Sequence, residues 1–384
     1  MLESRVIPKL KNRGEMLGFL STSLVFVYLL LALGVYFYAP LQALRWMDTP
    51  FVGAFVEHTM MFNDIHAAGG DAWVLKTQGF GLGDQLLQID GQPVPDAAAM
   101  QRVLSQHKPG DEVFLGVRTS DGQLQAVLVT LQTFPLADRI AFFYLPYFLG
   151  LVYLISGLWV FLVRRYSVDG RAFSVTAASI AIFLGGLFDL YTTHTFTVLW
   201  SAAVPTIGAG LLTLGLYFPA ETLWVRHRPW VRWLGYVVAA LLFLNTYPTL
   251  FNAARPLLYV QAWQASYVFS GLCVLFFLLM MVYQRNGAES PIAREQARLS
   301  LLGATVALLP LAAWGIGAVI FNWRFSPYLL LLLAIFPASM VYNILRYRFF
   351  SLDVVLSRVA LYTLLSVLAV AGYALLVSGL SLIV

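Results

Sequence analysis

The feature that most constrains this chain is a series of long apolar stretches. Nine stretches of at least 18 mostly apolar residues follow one another, and a helix needs about 20 such residues to cross a bilayer. They lie at 17–38, 141–163, 173–191, 196–218, 234–251, 264–283, 301–321, 327–345 and 360–384. Because 60% of the residues are hydrophobic and only 11% are charged, one water-soluble core cannot bury them. The sequence therefore predicts a polytopic α-helical membrane protein with about nine spans.

The basic residues predict how the chain crosses the membrane. If the N terminus is cytoplasmic, the segments on that side hold 16 of the 24 lysines and arginines, and the short loops on the other side hold 2. Basic residues accumulate in cytoplasmic loops, so we expect residues 1–38 to be a cytoplasmic N terminus followed by an uncleaved anchor span. Because topology accounts for the excess of basic residues, we expect no nucleic-acid partner.

Nine spans that start inside place the C terminus outside, directly after the last apolar stretch. Two explanations are open: either the count is wrong by one, or the chain is cut from a longer protein. We expect the second. Residues 141–384 are then a multi-span membrane module that ends before a further span and a cytoplasmic output domain.

Residues 39–140 differ from the rest of the chain because they are polar and carry 11 acidic and 6 basic residues. Their pattern predicts a strand, an Asp90-Gly91 turn, a short strand, a helix and a hairpin about Asp121-Gly122, since Asp-Gly pairs are typical of tight turns. Asp96 is the expected N-cap of the helix over 96–107. We expect one small extracytoplasmic α+β domain between the first two spans.

The turn before the first of these strands resembles a family signature. Gly81, Leu82, Gly83 and Asp84 stand where bacterial PDZ domains carry a Gly-Leu-x-x-Gly-Asp turn, here shortened by two residues. The predicted order of strands and helix is similar to that of the same family. The resemblance implies an exported domain that takes an extended peptide or a protein segment as an added strand.

The resemblance also implies a peptide groove between a strand within 54–65 and the helix over 96–107. The residues expected to line the groove are Arg45, Phe51, Val52, Gly53, Ala54, Phe55, Met100 and Leu104. Gly53 would let backbone amides converge on a peptide carboxylate, and Arg45 would add positive charge. Another explanation stays open, because Phe51, Val52 and Phe55 could belong to a hydrophobic core and Arg45 could face lipid headgroups.

A polar string near the C terminus resembles a pattern of multi-pass bacterial sensor histidine kinases. Its residues are Arg346, Tyr347, Arg348, Asp353 and Arg358. The arginines can reach lipid phosphates, and Asp353 could pair with Arg358 across a short signalling elbow. With the anchor span and the PDZ-like domain, the chain resembles the membrane sensor region of kinases of the competence quorum-sensing type. The alternative is that the string only stops one span and inserts the next.

This resemblance implies a location and a set of partners. The location is the bacterial inner membrane. The partners are membrane lipid, an extracytoplasmic peptide or protein, a cytoplasmic kinase domain with its response regulator, and a second copy of the chain in a homodimer. Two other functions stay open: a transporter-like protein with an accessory PDZ domain, and a membrane scaffold that docks exported proteins.

Polar residues near the predicted outer ends of the spans suggest a further site, since such groups are costly within a membrane and often functional. They are Asp189, His194, Asn245 and Arg255. We expect them to line an outward-facing ligand pocket in which Asp189 pairs with Arg255. The alternative is that they are interfacial residues in contact with water.

The sequence contains no motif for catalysis. His-Glu-x-x-His, Gly-x-Ser-x-Gly and P-loop patterns are absent, as are the phosphoacceptor histidine and the ATP-binding motifs of a kinase. Cys273 is the one cysteine and the five histidines are scattered, so we expect no metal and no cofactor. Any kinase activity would belong to a longer protein.

Overall fold

The structure is a computed structural model that describes residues 13–69, 72–252, 255–321, 323 and 326–346. The predicted elbow falls almost entirely outside these residues. Arg346 ends the last described helix, whereas Tyr347, Arg348, Asp353 and Arg358 lie outside the described residues, as does the predicted span over 360–384.

The described residues form helices and one small sheet. The helices are α1 (Arg13–Met47), α2 (Val74–Thr77), α3 (Ala97–Leu104), α4 (Leu136–Arg139), α5 (Leu145–Arg164), α6 (Val168–Gly185), α7 (Leu187–Tyr191), α8 (Thr197–Tyr217), α9 (Leu223–His227), α10 (Leu234–Leu250), α11 (Leu258–Gly287), α12 (Pro291–Phe321) and α13 (Ile335–Arg346). A π-helical segment, Ile140–Tyr144, and two 3-10 segments, Pro229–Trp233 and Pro327–Ala334, connect them. The strands are β1 (Gln85–Ile89), β2 (Gln92–Pro93), β3 (Glu112–Arg118) and β4 (Leu124–Thr130).

Seven helical stretches among the described residues are long and apolar enough to cross a membrane. They are Met16–Met47, Leu136–Arg164, Val168–Gly185, Thr197–Tyr217, Pro229–Leu250, Leu258–Gly287 and Pro291–Phe321. Each overlaps one predicted span, and the predicted span over 327–345 coincides with a shorter apolar stretch, Pro327–Asn343. These helices indicate a membrane protein.

The helices pack into a bundle around α6 and α8. Helix α6 contacts α1, α5 and α8, helix α8 contacts α10 and α11, and α12 packs on α11. Small residues allow the close approach: a Cβ atom at Gly210 of α8 would collide with the Thr176 hydroxyl of α6. Close packing of small residues is the usual source of helix association where lipid removes the hydrophobic driving force.

Buried polar side chains add specific links between the helices. The hydroxyls of Tyr28 in α1 and Ser179 in α6 lie 2.9 Å apart. Near the C-terminal end of α11, the Gln284 Nε2 donates to the carbonyls of Phe218, at 3.1 Å, and Ala220, at 2.8 Å. Because these groups are satisfied by a neighbouring element, each link fixes the register of two segments at once.

Between α1 and α4 the chain forms a small domain (residues 48–135). Its sheet is antiparallel with strand order β2-β1-β3-β4. Helix α3 buries its apolar stripe, including Met100 and Leu104, in the same core as Leu86 and Val113. The Asp96 carboxylate accepts the Ala99 N–H at 2.7 Å and caps α3. The predicted order of strand, turn, strand, helix and hairpin is confirmed.

The turns of the small domain have the backbone that their residues predicted. Asp90 and Gly91 have φ values of 46° and 76°, which is the twist that a two-residue hairpin requires. In the turn Gly81–Asp84, the Asp84 carboxylate accepts the N–H groups of Gly81 and Ser120, both at 2.9 Å. Asp84 therefore ties the turn before β1 to the β3–β4 hairpin.

The small domain is joined to the bundle by a cluster of aromatic rings, which we call the aromatic junction. Its members are Trp46, Phe51, Phe55, Trp73, Phe134, Phe142, Phe188 and Tyr191. They come from the end of α1, from the small domain, from the π-helical segment and from α7.

Phe55 lies at the centre of the aromatic junction. Its ring centroid is 4.9 Å from that of Trp73 in the small domain and 5.5 Å from those of Phe142 and Tyr191 in the bundle. Edge-to-face and stacked pairs of this kind contribute about 0.5–1.5 kcal/mol each beyond the apolar area they bury. The junction therefore holds the domain to the helices in one orientation.

Replacing Phe55 by alanine should destabilise the folded protein by about 3–5 kcal/mol, which is the usual cost of emptying a buried phenylalanine site. The measurement is thermal unfolding of the full chain in detergent micelles, followed by tryptophan fluorescence. Phe37→Ala is the matched control, because Phe37 in α1 is 72% exposed. Equal unfolding midpoints for the two variants would contradict the central role of Phe55.

Candidate functional site

The small domain reaches the bundle through a short hairpin at residues 56–62, which we call the docking hairpin. Val56 and Phe62 form an antiparallel bridge. The Glu57 N–H donates to the Met61 carbonyl at 2.7 Å, and the Met60 N–H donates to the Glu57 carbonyl at 2.8 Å. Met60 takes a positive φ of 60°, so the tip closes within a few residues and projects Glu57 and His58. The predicted strand within 54–65 is thus a tight hairpin.

The docking hairpin is also bonded to the sheet of the small domain. The Phe62 N–H donates to the Asp84 carbonyl, and the Leu86 N–H of β1 donates to the Met60 carbonyl, each at 2.9 Å. Met61 forms a bridge with Gln85 at the start of β1. A displacement of the hairpin therefore acts directly on β1 and on the turn Gly81–Asp84 before it.

The tip of the docking hairpin inserts its His58 ring among aromatic side chains of the bundle. Its ring centroid lies 4.6 Å from that of Tyr259 and 5.9 Å from that of Trp263, both in α11, and 5.5 Å from that of Phe251. The His194 ring is 6.1 Å away. His58 of the small domain is thus in contact with side chains that lie more than 130 positions later in the chain.

His194 is positioned by the loop between α7 and α8. The Asp189 carbonyl accepts the N–H groups of Thr193 and His194, and the Asp189 carboxylate accepts those of Thr195, at 3.0 Å, and Phe196, at 2.8 Å. These bonds hold His194 at a φ of 59°, which non-glycine residues adopt rarely. Asp189 therefore acts as the organiser of the loop that aims His194 at the docking hairpin.

Burial shifts the pKa values of the titratable groups at this contact. Desolvation lowers the pKa of His58 to about 4, opposed by the Leu250 carbonyl. Desolvation, together with the nearby His58, lowers the pKa of His194 to about 3. Desolvation raises the pKa of Glu57 to about 7, opposed by the nearby polar side chains of Asn63 and Tyr259. Both imidazoles are therefore neutral at neutral pH, while the carboxyl keeps its proton to a higher pH than an exposed glutamate does.

The four residues of the predicted ligand pocket differ in exposure. Asp189 is buried in α7, where its carboxylate accepts N–H groups of the loop that follows, and His194 faces the docking hairpin. Asn245 is exposed on α10, and Arg255 is exposed before α11. Within the described part of the chain, no ion pair joins Asp189 to Arg255.

The residues expected to line the peptide groove lie in two environments. Phe51 and Phe55 belong to the aromatic junction, whereas Val52, Ala54, Met100 and Leu104 are buried in the core of the small domain. Gly53 has a φ of 86°, and a Cβ atom there would lie 2.8 Å from the Val74 nitrogen, so the segment packs directly on α2. Arg45 is exposed in the last turn of α1.

Sequence reasoning missed Glu57 and His58 as functional candidates. They lie in a segment interpreted as an ordinary strand, and their partners Tyr259 and Trp263 lie about 200 positions later. The one available signal is a Glu-His pair between apolar residues, which is unusual in a short strand. No group of three or more His, Cys, Asp or Glu side chains in the described ranges could hold a metal ion.

Comparison with known proteins identifies the small domain. Residues 75–131 match the PDZ domain family, which confirms the resemblance drawn from the turn Gly81–Asp84. No curated protein and no solved structure matches the chain. The match begins after the docking hairpin, so this hairpin and the aromatic junction are features of the present chain that the family match does not cover.

Docking of the hairpin on the bundle should depend on pH, with an optimum near pH 6.5. The pKa values of His58 and His194 fall from 6.5 to about 4 and about 3 on docking, so their contribution is complete above pH 6.5 and is lost as the pH falls. The pKa of Glu57 rises from 4.5 to about 7, so its contribution is complete below pH 4.5 and is lost as the pH rises through 7. Below pH 6.5 the loss of the contribution of the two histidines exceeds the gain from the one carboxyl. Docking should therefore weaken on acidification.

The measurement is hydrogen exchange of the amides at 56–62 in the full chain in nanodiscs, expressed as protection factors between pH 5 and 8. The double variant His58→Gln, His194→Gln should lose the acid limb, and Glu57→Gln should lose the alkaline limb. The phenols of Tyr191, Tyr259 and Tyr267 also interact electrostatically with Glu57. Identical profiles for the native chain and the double variant would show that the histidines do not control docking.

Proposed function

We propose that this chain is a membrane sensor module whose PDZ domain binds a peptide or protein segment and passes that event to the helices. PDZ domains bind peptides or proteins, and residues 75–131 supply one. The observation that carries the proposal is the docking hairpin. It is bonded to β1 on one side and contacts α11 through His58 on the other.

The proposed groove for the ligand lies between the docking hairpin and α3, as the family resemblance implies. Met100 and Leu104 are packed there against the core residues Val52 and Ala54. A ligand strand in this groove would have to move α3 away from the segment before the hairpin. Binding would thus act on the docking hairpin, whose position also determines the contacts of α11.

The rest of the proposal follows the sequence patterns. The basic residues support a cytoplasmic N terminus and an extracytoplasmic PDZ domain, and the kinase-like string at 346–358 supports a bacterial inner-membrane sensor. On this proposal the string is a signalling elbow, and the partners are lipid, a cytoplasmic kinase domain and its response regulator. A ligand would shift the population between two packings of the bundle, in proportion to its preference for one of them.

A peptide that binds the PDZ domain should change the environment of α11, and this change should need the docking hairpin. The experiment titrates pools of peptides with free C termini against the full chain in nanodiscs. Binding is measured by fluorescence polarisation, and the change in α11 by hydrogen exchange over 258–267. His58→Ala should keep the affinity within about threefold and lose most of the change in α11.

The matched control is His66→Ala, because His66 is exposed in the same domain and should behave as the native chain. Absence of binding at millimolar peptide would reject the ligand role of the domain. Binding with no change in α11 in the native chain would favour the scaffold, which docks proteins without relaying a signal. Solute uptake in vesicles would favour the transporter.

The proposed orientation predicts which positions are accessible from outside the cell. In a Cys273→Ala background, Gln106→Cys in the PDZ domain should react with a membrane-impermeant maleimide in intact cells. Glu289→Cys, between α11 and α12, should react only after permeabilisation. Both native side chains are exposed, so accessibility to reagent rather than burial decides the result. Labelling of position 289 in intact cells, with none at position 106, would show that the topology is the reverse of the proposed one.

A further inference from the structure

The last strand of the sheet, β4, has one edge that no other strand of the described residues pairs with. It pairs with β3 along its whole length, from Leu124 opposite Arg118 to Thr130 opposite Glu112. The bonds that flank this ladder are Thr119 N–H to the Gln123 carbonyl and Leu131 N–H to the Asp111 carbonyl. Antiparallel bonds alternate along a strand, so the odd-numbered residues of β4 bond to β3. The even-numbered residues point their N–H and C=O groups away from the sheet.

The sequence of β4 carries none of the features that usually protect an edge strand. Leu124–Thr130 contains no charged residue and no proline, and its register with β3 has no bulge. Its outer face is apolar: Leu124 is 73% and Leu128 45% exposed, and Phe114, which lies opposite Leu128, is 58% exposed. A long apolar edge of this kind is a template for pairing with another chain.

One end of the edge is already covered. Phe51 exchanges two backbone hydrogen bonds with Gln132, at 2.7 and 2.8 Å, and these occupy the outward groups just beyond β4. The free part of the edge therefore runs from Leu124 to Thr130. A partner strand centred on Ala126 would pair with this free part of the edge and would not contact Phe51.

We propose that β4 pairs antiparallel with β4 of a second copy of this chain, so that the two sheets become one continuous sheet about a two-fold axis. Ala126 would lie opposite Ala126 of the second copy, and Leu124 opposite Leu128. In this register the outward N–H and C=O groups of one β4 strand lie opposite the outward groups of the other. It also covers the exposed leucines and brings no like charges together, as the self-complementary surface of a two-fold interface requires.

Anchoring in the membrane favours this pairing. Two copies held in one bilayer meet at an effective concentration far above that of free domains, so a short edge suffices to associate them. The interface lies on the opposite side of the sheet from β1 and the docking hairpin, because the strand order is β2-β1-β3-β4. Pairing at β4 leaves the proposed ligand groove accessible in both copies.

The first test is cysteine crosslinking of the full chain in native membranes, with Cys273→Ala as background. Directly opposed residues that exchange hydrogen bonds have Cα atoms about 5.5 Å apart, which a disulfide can span. Ala126→Cys should form a disulfide dimer under mild oxidation at least tenfold faster than Gln106→Cys, an exposed position outside β4. Equal rates at the two positions would overturn the proposal.

The second test removes the edge without altering the bonds between β3 and β4. Ala126→Pro deletes an outward N–H, which an edge strand tolerates, and Ala126→Val is the control that keeps this donor. Mass photometry in nanodiscs should show dimers for the native chain and Ala126→Val, and at least a tenfold lower dimer fraction for Ala126→Pro. An unchanged unfolding midpoint verifies that Ala126→Pro is folded. A native chain that is monomeric, or that binds an added extended peptide at this edge in place of a second copy, would refute the proposal.

Discussion

The contact of Phe55 with the rings around it is the interaction on which the rest of the architecture depends. The small domain is polar and acidic, whereas the helices expose apolar surface to lipid, so the two parts favour different surroundings. Phe55 is buried at their boundary and touches rings from both. Since these pairs have preferred geometries, the junction fixes an angle as well as a distance. That angle places the docking hairpin against α11.

The polar groups next to the aromatic junction are held at an energetic cost that the surrounding contacts offset. Glu57, His58 and His194 all prefer water when charged, and burial shifts each towards its neutral form. The strained backbone of His194 adds to this cost, and the bonds of the Asp189 loop maintain it. The ring nitrogens of His58 and His194 have no hydrogen-bond partner among the described residues, so the docked arrangement is held by the ring contacts around them.

Local features of the fold were predictable from the sequence because each depends on neighbouring residues. The apolar stretches predicted the membrane helices, the Asp90-Gly91 pair predicted the first hairpin, and Asp96 predicted the start of α3. The PDZ domain followed from the turn Gly81–Asp84 and the order of elements. Each of these signals lies within a window of a few residues or a single helix length.

The junction could not be predicted in this way because it joins residues that are far apart in the chain. The pattern around Glu57 and His58 fits a strand, and only the folded chain brings them to Tyr259 and Trp263. Asp189 stands out in the sequence as a polar residue near a helix end, and in the structure its carboxylate accepts the N–H groups of the loop after α7. A sequence marks such a residue as unusual without specifying which atoms will satisfy it.

Helix α11 has a mechanical consequence that follows from its length. It is 30 residues long, which corresponds to about 45 Å at the rise of an α-helix. Tyr259 and Trp263 near its first turn meet the small domain, and Gln284 near its last turn holds the segment after α8. A straight rod of this length converts a tilt of about 5° at one end into a sideways displacement of about 4 Å at the other. A tilt that barely changes the ring contacts of Tyr259 would thus become, at Gln284, a shift large enough to break the hydrogen bonds that hold the segment after α8.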